Sequence, residues 1–340
     1  MNLGSPASTQ LSDIRDYLAE FLMDKRVIDY PYLLRLLLVR GIIVPFRAPQ
    51  TSKAYQSVWT EEGSPLINIT RHLQEAVMKK ADVPVTIAMR YGTPNIKQAF
   101  EKLSREHPEL QQVVLLPLYP HYAMSSYETA VVQAQEVYKG GNYGFSLDTI
   151  QPFYSEPGYI TALSQKIAPS LQQEYDHILF SYHGIPESHI TKGDVTSTHC
   201  LKSDSCCSVD SPAHKQCYRH QCYVTTKLIT ERLNIPGNKY TLSFQSRLGR
   251  AEWLKPYTSE LLTQLPSRST KKLLIVCPAF VSDCLETLEE IAEEGKELFL
   301  HAGGESFTMI PCLNTDDAWV MTICGWIDRL KQGDRELLLS

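Results

Sequence analysis

The sequence predicts an α/β protein of two similar domains, each built on a parallel sheet flanked by helices. Short β-branched apolar runs alternate with longer segments of helical periodicity, and this alternation is typical of parallel sheets covered on both faces. Polar motifs follow directly after several of the predicted strands. The two halves also resemble each other, since residues 90–94 are similar to residues 182–186. We therefore expect a cleft between two related domains.

The elements follow one another in a regular order. We expect strands over residues 83–89, 113–118, 177–181, 240–244, 273–277 and 307–310. Helical periodicity covers residues 96–106, 123–138, 159–174, 223–233 and 284–298. The turn motif at residues 2–6 is of the kind that elsewhere in the chain follows a strand, so we expect a first strand to be missing ahead of it.

A glycine-rich break at residues 140–144 marks the domain boundary. It predicts an N-terminal domain over residues 1–143 and a C-terminal domain over residues 144–310. A last helix, within residues 311–330, is expected to pack back across the domains.

Composition excludes several classes of protein. The chain has 340 residues, of which 43% are hydrophobic and 21% charged, and its net charge is −5, so we expect no nucleic-acid partner. It has no GxGxxG or phosphate-loop motif, which predicts no nucleotide cofactor. The start has neither the basic region nor the apolar core of a signal peptide, so a cytoplasmic location is expected.

The most apolar segment, residues 32–46, is interrupted by Arg35 and Arg40. It is shorter than the roughly 20 apolar residues that span a bilayer. Burial in the core is favoured about two to one. The alternative is peripheral contact with the inner membrane surface.

His183 follows the predicted strand 177–181 and precedes Gly184 and Pro186. Ligands of open α/β sheets bind beyond the carboxyl ends of the strands, and imidazole exchanges protons near neutral pH. His183 is therefore a candidate catalytic base. The alternative is a structural histidine bonded to a loop carbonyl.

Acidic residues are concentrated in the predicted helix 284–298. Asp283 and Glu286 have the spacing of a capping box. Glu286, Glu290 and Glu294 then recur every fourth residue, although like charges at this spacing cost a helix about 0.2–0.5 kcal/mol per pair. A solvated acidic face explains the pattern, and so does a carboxylate track that conducts a divalent cation or protons.

These motifs together resemble the signature blocks of the ferrochelatases. The three principal blocks are matched by residues 180–186, 244–258 and 277–291. Three further family blocks, in family order, are matched by residues 2–6, 63–66 and 116–120. The resemblance covers nearly the whole chain, and six blocks in the right order are highly specific.

The resemblance implies two Rossmann-like domains around a porphyrin cleft. It also implies a lyase that inserts Fe(II), its substrate, into a porphyrin to give haem and two protons. His183 falls on the family's essential histidine and Glu286 on its essential carboxylate. The family's acidic metal path is matched by Glu290 and Glu294, so the iron is expected to meet His183, Glu286, Glu290 and Glu294. Arg47 and Ser64 match residues that hold the porphyrin propionates.

Other matched positions line the porphyrin pocket. These substrate-binding positions are Arg90, Tyr91, Tyr119, Trp253 and Leu3. Family members that act on coproporphyrin III typically carry tyrosine where this chain has Leu3. The aliphatic side chain therefore favours protoporphyrin IX as the organic substrate.

A cysteine-rich insert, residues 198–222, separates this chain from the shortest family members. It contains Cys200, Cys206, Cys207, Cys217 and Cys222. Four thiolates in a short loop suit a [2Fe–2S] cluster or a tetrahedral Zn(II), and unligated thiols are the third interpretation. The insert resembles the internal cluster-binding segment of some ferrochelatases. We expect Cys200, Cys207, Cys217 and Cys222 as ligands, with Cys206 as the alternate for its neighbour.

Two rival functions stay open at this stage. One is a related chelatase that loads cobalt or nickel into a tetrapyrrole. The other is a porphyrin-binding carrier or redox sensor that uses the cysteine insert and has no turnover. The sequence does not predict the oligomeric state.

Overall fold

A computed structural model describes residues 1–247, 249 and 251–339 of the chain. It divides them into two units. Unit 1 contains residues 1–119, 124–151 and 323–339, and unit 2 contains residues 120–123 and 152–322. The principal break in the chain therefore comes after residue 151, where the sequence placed it at residue 143. Leu248 and Arg250, which belong to one of the family blocks, lie outside the described residues.

Unit 2 is built on a parallel sheet. Its strands are β5 (His177–His183), β6 (Tyr240–Gln245), β7 (Lys272–Val276) and β8 (Ser306–Ile310), in the spatial order β6-β5-β7-β8. The four predictions for this region are confirmed to within two residues. Strand β5 is buried along almost its whole length because it lies inside the sheet with helices on both faces.

The register of this sheet decides which side chains meet at its carboxyl edge. His183 at the end of β5 pairs with Gln245 at the end of β6. Strand β7 pairs with the other side of β5. Residues that follow β5, β6 and β7 therefore converge at one edge, as the strand-end motifs predicted.

Unit 1 contains two separate pairs of parallel strands. The pairs join β1 (Asn2–Gly4) to β2 (Met89–Tyr91), and β3 (Gln112–Leu115) to β4 (Ser146–Thr149). The predicted strand 83–89 is wrong over most of its length, since only its last residue is in β2. Strands β1 and β4 were not predicted because they are short and partly polar.

Helices cover the sheets of each unit. In unit 1 they are α1 (Leu11–Leu22), α2 (Tyr32–Leu36), α3 (Val44–Val58), α4 (Pro65–Met78), α5 (Ile96–Glu106) and α6 (Thr129–Gly140). In unit 2 they are α7 (Pro157–Ile167), α8 (Glu187–Gly193), α9 (Tyr218–Arg232), α10 (Thr258–Gln264), α11 (Leu285–Leu288) and α12 (Lys296–His301). The last helix, α13 (Asp317–Lys331), contributes residues to both. Wider π-helical turns occur at Leu37–Ile43, Met124–Glu128 and Glu290–Gly295.

The apolar segment near the N-terminus is exposed, so its predicted burial is wrong. Its exposed side chains and that of the preceding Tyr30 together form what we call the apolar patch: Tyr30, Tyr32, Leu33, Leu34, Leu37, Ile42 and Phe46. Phe46 is 79% exposed and Leu37 71%. On the inward face of the segment, Val39 and Val44 are buried, and the buried Arg35 donates hydrogen bonds to the carbonyls of Ile28 and Tyr30. None of the helices in the described part of the chain is long and apolar enough to cross a membrane.

Candidate active site

His183 stands at the carboxyl end of β5 with its ring orientation fixed. Its Nδ1 lies 2.6 Å from the carbonyl oxygen of Gly184, and because a carbonyl can only accept, Nδ1 carries the hydrogen. In the neutral ring, Nε2 is then unprotonated and able to take a proton. The loop-carbonyl bond expected of a structural histidine is thus present, and it also prepares the ring as a base.

The loop after His183 is held against the end of β6. The Gly184 N–H donates to the Gln245 carbonyl at 2.8 Å, and a Cβ at Gly184 would lie 2.6 Å from that oxygen. Only glycine permits this approach. Backbone hydrogen bonds from Leu254 to Ile185 and from Glu187 to Glu252 then tie in the segment that carries Trp253.

Trp253 is buried next to this loop. Its indole Nε1 has no hydrogen-bond partner among the described residues. A buried indole N–H usually has one. The side chain is therefore a suitable wall for a flat aromatic ligand and still has a donor to offer.

Glu290 is the carboxylate most tightly held in this region. It accepts hydrogen bonds from the Ser246 backbone N–H at 2.7 Å and the Ser246 hydroxyl at 2.5 Å. Burial raises the pKa of Glu290, whereas the Ser246 hydrogen bonds and the nearby His183 act in the opposite direction. Glu286 also lies close enough to raise it. His183, Glu286 and Glu290 thus form one interacting group.

The predicted capping box of Asp283 and Glu286 is wrong. The cap residue of α11 is Cys284, whose backbone N–H donates to the Thr287 hydroxyl at 3.0 Å. Asp283 accepts hydrogen bonds from Thr287 and Asn314 instead. Glu286 is half-buried, its backbone carbonyl accepts from Gln245 at 2.9 Å, and its carboxylate is hydrogen-bonded to the thiol of Cys284.

The acidic track does not keep the expected α-helical spacing. The helix widens to a π-turn at Glu290–Gly295, where the Glu294 N–H bonds to the Glu289 carbonyl five residues back. Glu294 consequently interacts with Glu289. Burial, followed by the charges of Glu294, Glu290 and Glu293, raises the pKa of Glu289 to about 7. Beyond Glu290, the next close carboxylate pair is therefore Glu289 with Glu294.

A second group of predicted residues lies together in unit 1. Arg90 donates to Asp24 at 2.6 Å and to the Thr129 hydroxyl at 2.8 Å, and its guanidinium covers the Tyr91 ring. The Tyr91 and Thr129 hydroxyls also donate to Asp24. Burial opposes ionisation of Asp24, but the hydrogen bonds from Thr129 and Arg26 and the charge of Arg90 outweigh it and lower the pKa. The charge of Arg90 is thus already neutralised.

Tyr119 lies near this network. Its hydroxyl is buried and has no hydrogen-bond partner in the described part of the chain, and burial raises its pKa well above the usual range. The electrostatic influence of Arg90 and Tyr91 reaches it. Tyr119, Arg90 and Tyr91 therefore form one cluster.

The predicted propionate-binding residues differ in environment. Arg47, on α3, is exposed and makes no ion pair with any described residue. Ser64 is buried, and its hydroxyl donates to Ser5 at 2.7 Å, which leaves the Ser5 hydroxyl hydrogen available. Leu3 is half-buried in β1, two residues before Ser5.

The structure brings the cysteines of the insert together. The Cys217 thiol is hydrogen-bonded to those of Cys200 and Cys207, and Cys207 is close enough to Cys222 to affect its ionisation. Cys206 lies beside Cys207, with 4.0 Å between the two sulfurs. Cys222 is on α9, which begins five residues earlier than predicted, so the insert runs directly into a buried helix.

Two charged side chains organise the insert. The Asp194 carboxylate accepts the backbone N–H groups of His199 and Cys200, which fixes the start of the loop. Arg219 directs its guanidinium to the sulfurs of Cys206 and Cys207 at 3.5 and 3.3 Å. Across the described ranges, however, no group of three or more histidine, cysteine or acidic side chains is arranged to hold a single metal ion.

Several residues of these sites were not predicted. Ser246 and Gln245 follow a predicted strand, and that position was the signal that could have identified them. Asp24 lies in a loop with no motif, and its hydrogen-bond partners Arg90 and Thr129 are distant from it in the sequence. Glu289 was not singled out, because the π-turn that brings it to Glu294 has no sequence signature that we recognised.

Several known proteins resemble this chain over nearly its whole length. The sequence model described as Ferrochelatase matches residues 1–330. Two proteins named ferrochelatase are each 46% identical to the chain. The one from Pseudomonas syringae pv. tomato covers 94% of this chain and 93% of its own length, and the one from Stutzerimonas stutzeri covers 98% and 97%.

One solved structure supports the fold. SirB from Bacillus subtilis with Fe3+ is 12% identical, with a TM-score of 0.51, and covers 80% of this chain and 93% of its own. At this identity the likeness concerns the fold alone. Together with the parallel sheets flanked by helices, it confirms the predicted α/β class.

Proposed function

Because the chain belongs to the ferrochelatase family, we propose that it is a lyase that inserts Fe(II) into a porphyrin to give haem and two protons. The observation that carries this mechanism is the grouping of His183, Glu286 and Glu290 at one sheet edge. A base and an acidic path are what metal insertion requires, since two pyrrole protons must leave as the cation arrives.

The first role is proton removal. His183 has Nδ1 committed to the Gly184 carbonyl, which leaves Nε2 as the basic nitrogen. We assign Nε2 as acceptor of a pyrrole proton. The ring becomes a cation on protonation, and the neighbouring Glu290 stabilises that charge.

The second role is the transfer of protons and of Fe(II) by the carboxylates. The Glu286 carboxylate is hydrogen-bonded to the Cys284 thiol, and we assign it to meet the incoming Fe(II) or the second proton. Glu290 is fixed by Ser246 and lies next to Glu286. We infer that protons pass from Glu286 to Glu290 and then to the pair of Glu289 and Glu294. Cations are exchanged along the same carboxylates.

An anaerobic assay tests the activity. Purified protein is mixed with Fe(II) and protoporphyrin IX, and the loss of the free-porphyrin spectrum is followed. We expect turnover, and we expect His183→Ala and Glu286→Gln to reduce kcat by at least about 100-fold, a usual contribution of a general base. Tight porphyrin binding without turnover would indicate the carrier function instead. Wild-type rates in both variants would refute the assigned roles.

We propose protoporphyrin IX as the organic substrate. The proposal depends on Leu3, where an aliphatic side chain replaces the tyrosine typical of coproporphyrin-specific relatives. Arg47 and the Ser5–Ser64 hydroxyl pair are the proposed propionate donors. Arg90 is proposed to shape the pocket through Tyr91 and Tyr119, because its own charge is paired with Asp24.

We propose that the insert binds a [2Fe–2S] cluster through Cys200, Cys207, Cys217 and Cys222. The mutual proximity of these thiols and the Arg219 guanidinium beside Cys207 support the proposal, since N–H donors stabilise thiolate ligands. When bound, such a cluster supplies electron-transfer chemistry.

We propose that the protein is cytoplasmic and touches the inner membrane surface through the apolar patch. Monomeric soluble proteins rarely expose a large contiguous apolar surface. Arg40 is exposed within the same segment and would face anionic headgroups.

A further inference from the structure

The peptide group between His183 and Gly184 is held from two sides. Its N–H, which belongs to Gly184, donates to the Gln245 carbonyl at 2.8 Å, at the end of β6. Its carbonyl, which belongs to His183, accepts a hydrogen bond from the Tyr218 hydroxyl at 2.8 Å. The following carbonyl, that of Gly184, is bonded to the His183 ring at 2.6 Å. The orientation of the ring therefore depends on this peptide group, and Tyr218 is one of its two anchors.

Tyr218 is the first residue of α9 and is only 4% exposed. Its ring packs edge-on against His121, with the ring centroids 5.9 Å apart, and at a tilt against Phe244 at 6.5 Å. A tyrosine hydroxyl has one hydrogen, and a carbonyl oxygen can only accept. The hydrogen of Tyr218 is therefore committed to the His183 carbonyl.

The Tyr218 hydroxyl is also hydrogen-bonded to the Cys222 thiol. The two residues are four apart on α9, so they lie on the same face of the helix, and Cys222 is fully buried there. Because the hydrogen of Tyr218 is already used, the thiol is the donor to the tyrosine oxygen. A continuous series of hydrogen bonds thus leads from the cysteine-rich insert to the backbone of His183.

The first turn of α9 is fixed by a side chain of its own. Gln221 is fully buried, and its amide group donates to the Lys215 carbonyl at 2.9 Å. Its side-chain oxygen accepts the Tyr122 N–H at 2.7 Å. Hydrogen bonds to two different segments hold this turn, so Tyr218 is presented to β5 from a well-anchored support.

We propose that Tyr218 is a positioning residue of the active site, which fixes the His183–Gly184 peptide and through it the ring of the base, and that the Cys222 thiol holds Tyr218 in place. Because it concerns the orientation of His183, this inference rests on the proposed function. The rate of a proton transfer depends steeply on geometry, and a small misplacement of the reacting group costs up to about 100-fold. We therefore expect Tyr218 to affect kcat more than KM.

The His183–Gly184 peptide can be observed by itself, because His183 is the only one of the ten histidines that precedes a glycine. Labelling histidine carbonyls with ¹³C and glycine nitrogens with ¹⁵N therefore gives one carbonyl–amide cross-peak in an NMR spectrum. Tyr218→Phe removes the hydroxyl and should shift this cross-peak and speed hydrogen exchange of the Gly184 amide by about tenfold. The same variant should lower kcat by about tenfold and change KM for the porphyrin by less than about twofold.

Tyr182→Phe is the matched control. The Tyr182 hydroxyl also joins β5 to α9, but it does so through the Thr226 hydroxyl at 2.8 Å and not through the His183–Gly184 peptide. Its removal costs a buried hydrogen bond between the same two elements. Gly184 exchange and kcat should nevertheless stay within about twofold of wild type.

A second pair of variants tests the link to Cys222. Cys222→Ala and Cys200→Ala each remove one cysteine of the insert and one proposed cluster ligand, so any cluster is lost in both. Cys222 is bonded to Tyr218, whereas Cys200 is bonded to Cys217. We expect Gly184 exchange to be at least about threefold faster in Cys222→Ala than in Cys200→Ala.

Three results would overturn the proposal. Wild-type exchange and kcat in Tyr218→Phe would mean that Tyr218 does not position His183. Equal changes in Tyr182→Phe would mean that any contact between β5 and α9 has the same effect. Equal exchange in the two cysteine variants would remove Cys222 from the arrangement. A wild-type protein without turnover would refute the proposed function, but the Gly184 exchange rates would still measure the bond from Tyr218, so the two failures are distinguishable.

Discussion

Ser246 holds the Glu290 carboxylate with two hydrogen bonds, one from its backbone N–H and one from its hydroxyl. It does so directly after strand β6, with a left-handed backbone at φ 63°. Few non-glycine residues adopt this conformation, and it turns the N–H and the hydroxyl toward the same carboxylate. The residue that follows β6 thus influences the pKa of Glu290, which lies on a different element.

Replacing Ser246 tests this relationship. Ser246→Ala removes the hydroxyl bond, which stabilises the charged form, so the pKa of Glu290 should rise further. If ionised Glu290 accepts protons from the reaction, the acidic limb of kcat/KM moves to higher pH. We expect about tenfold lower activity at pH 6 and little change at pH 8, since such a bond contributes about 1.5–3 kcal/mol. Ser267→Ala, at an exposed position, is the control. An unshifted profile would contradict the role of Ser246.

Asp24 is predicted to stabilise the Arg90 network. Asp24→Asn leaves the buried Arg90 guanidinium without its counter-charge and should lower the free energy of unfolding at pH 7 by about 3 kcal/mol. Because folding lowers the pKa of Asp24, its contribution is present above the unfolded pKa and is lost as the pH falls through the folded value. The difference from wild type should therefore shrink below about pH 4. Urea unfolding at pH 7 and pH 3.5 measures it, with the exposed Glu101→Gln as control. An equal loss at both pH values would exclude the ionised carboxylate as the cause.

Leu3 is predicted to set the choice of porphyrin. Leu3→Tyr adds a hydroxyl and bulk beside the substrate and should shift the ratio of kcat/KM values by at least about tenfold from protoporphyrin IX toward coproporphyrin III. Steady-state assays with both porphyrins measure the ratio. Leu11→Tyr introduces the same side chain at a partly exposed site and should leave it unchanged. A wild-type ratio in the Leu3 variant would remove the basis for the protoporphyrin proposal.

The cysteines of the insert are predicted to differ in importance. Serine at Cys200, Cys207, Cys217 or Cys222 should each abolish the reddish absorption that dithionite bleaches, whereas Cys206→Ser should retain it. Cys324→Ser, outside the insert, is the control. Colourless wild-type protein purified without oxygen would contradict the presence of the cluster. If the Cys206 variant lost its colour and the Cys207 variant kept it, Cys206 would be the ligand in place of Cys207.

The apolar patch is predicted to bind membranes. Charging it with Leu33→Glu and Leu37→Glu together should reduce binding to phosphatidylcholine–phosphatidylglycerol vesicles by at least about tenfold, because charged groups do not enter the apolar boundary. Cosedimentation measures the bound fraction. Val209→Glu, which charges an exposed apolar residue elsewhere, should have no effect. Equal binding of the double variant would place the contact outside the patch.

The sequence by itself determined the α/β class and the sheet edge at which the candidate site residues converge. Strands β5 to β8 are buried apolar runs whose pattern does not depend on distant partners, so they were predicted to within two residues. Helix α5 was predicted with its full bounds because a capping box and a regular apolar face define it locally. His183 was identified because the end of a parallel strand is a local feature with a predictable place in the fold.

Only the tertiary structure decided the details that depend on distant contacts. Residues 84–88 have a strand sequence, yet they are not part of any strand. The patch at Leu33 and Leu37 is apolar, yet no helix of unit 1 covers it. Glu294 meets Glu289 because the helix widens at a π-turn, and Glu290 is set by Ser246, 44 residues away. Hydrogen bonds and burial between remote segments create these features, and no local pattern of residues encodes them.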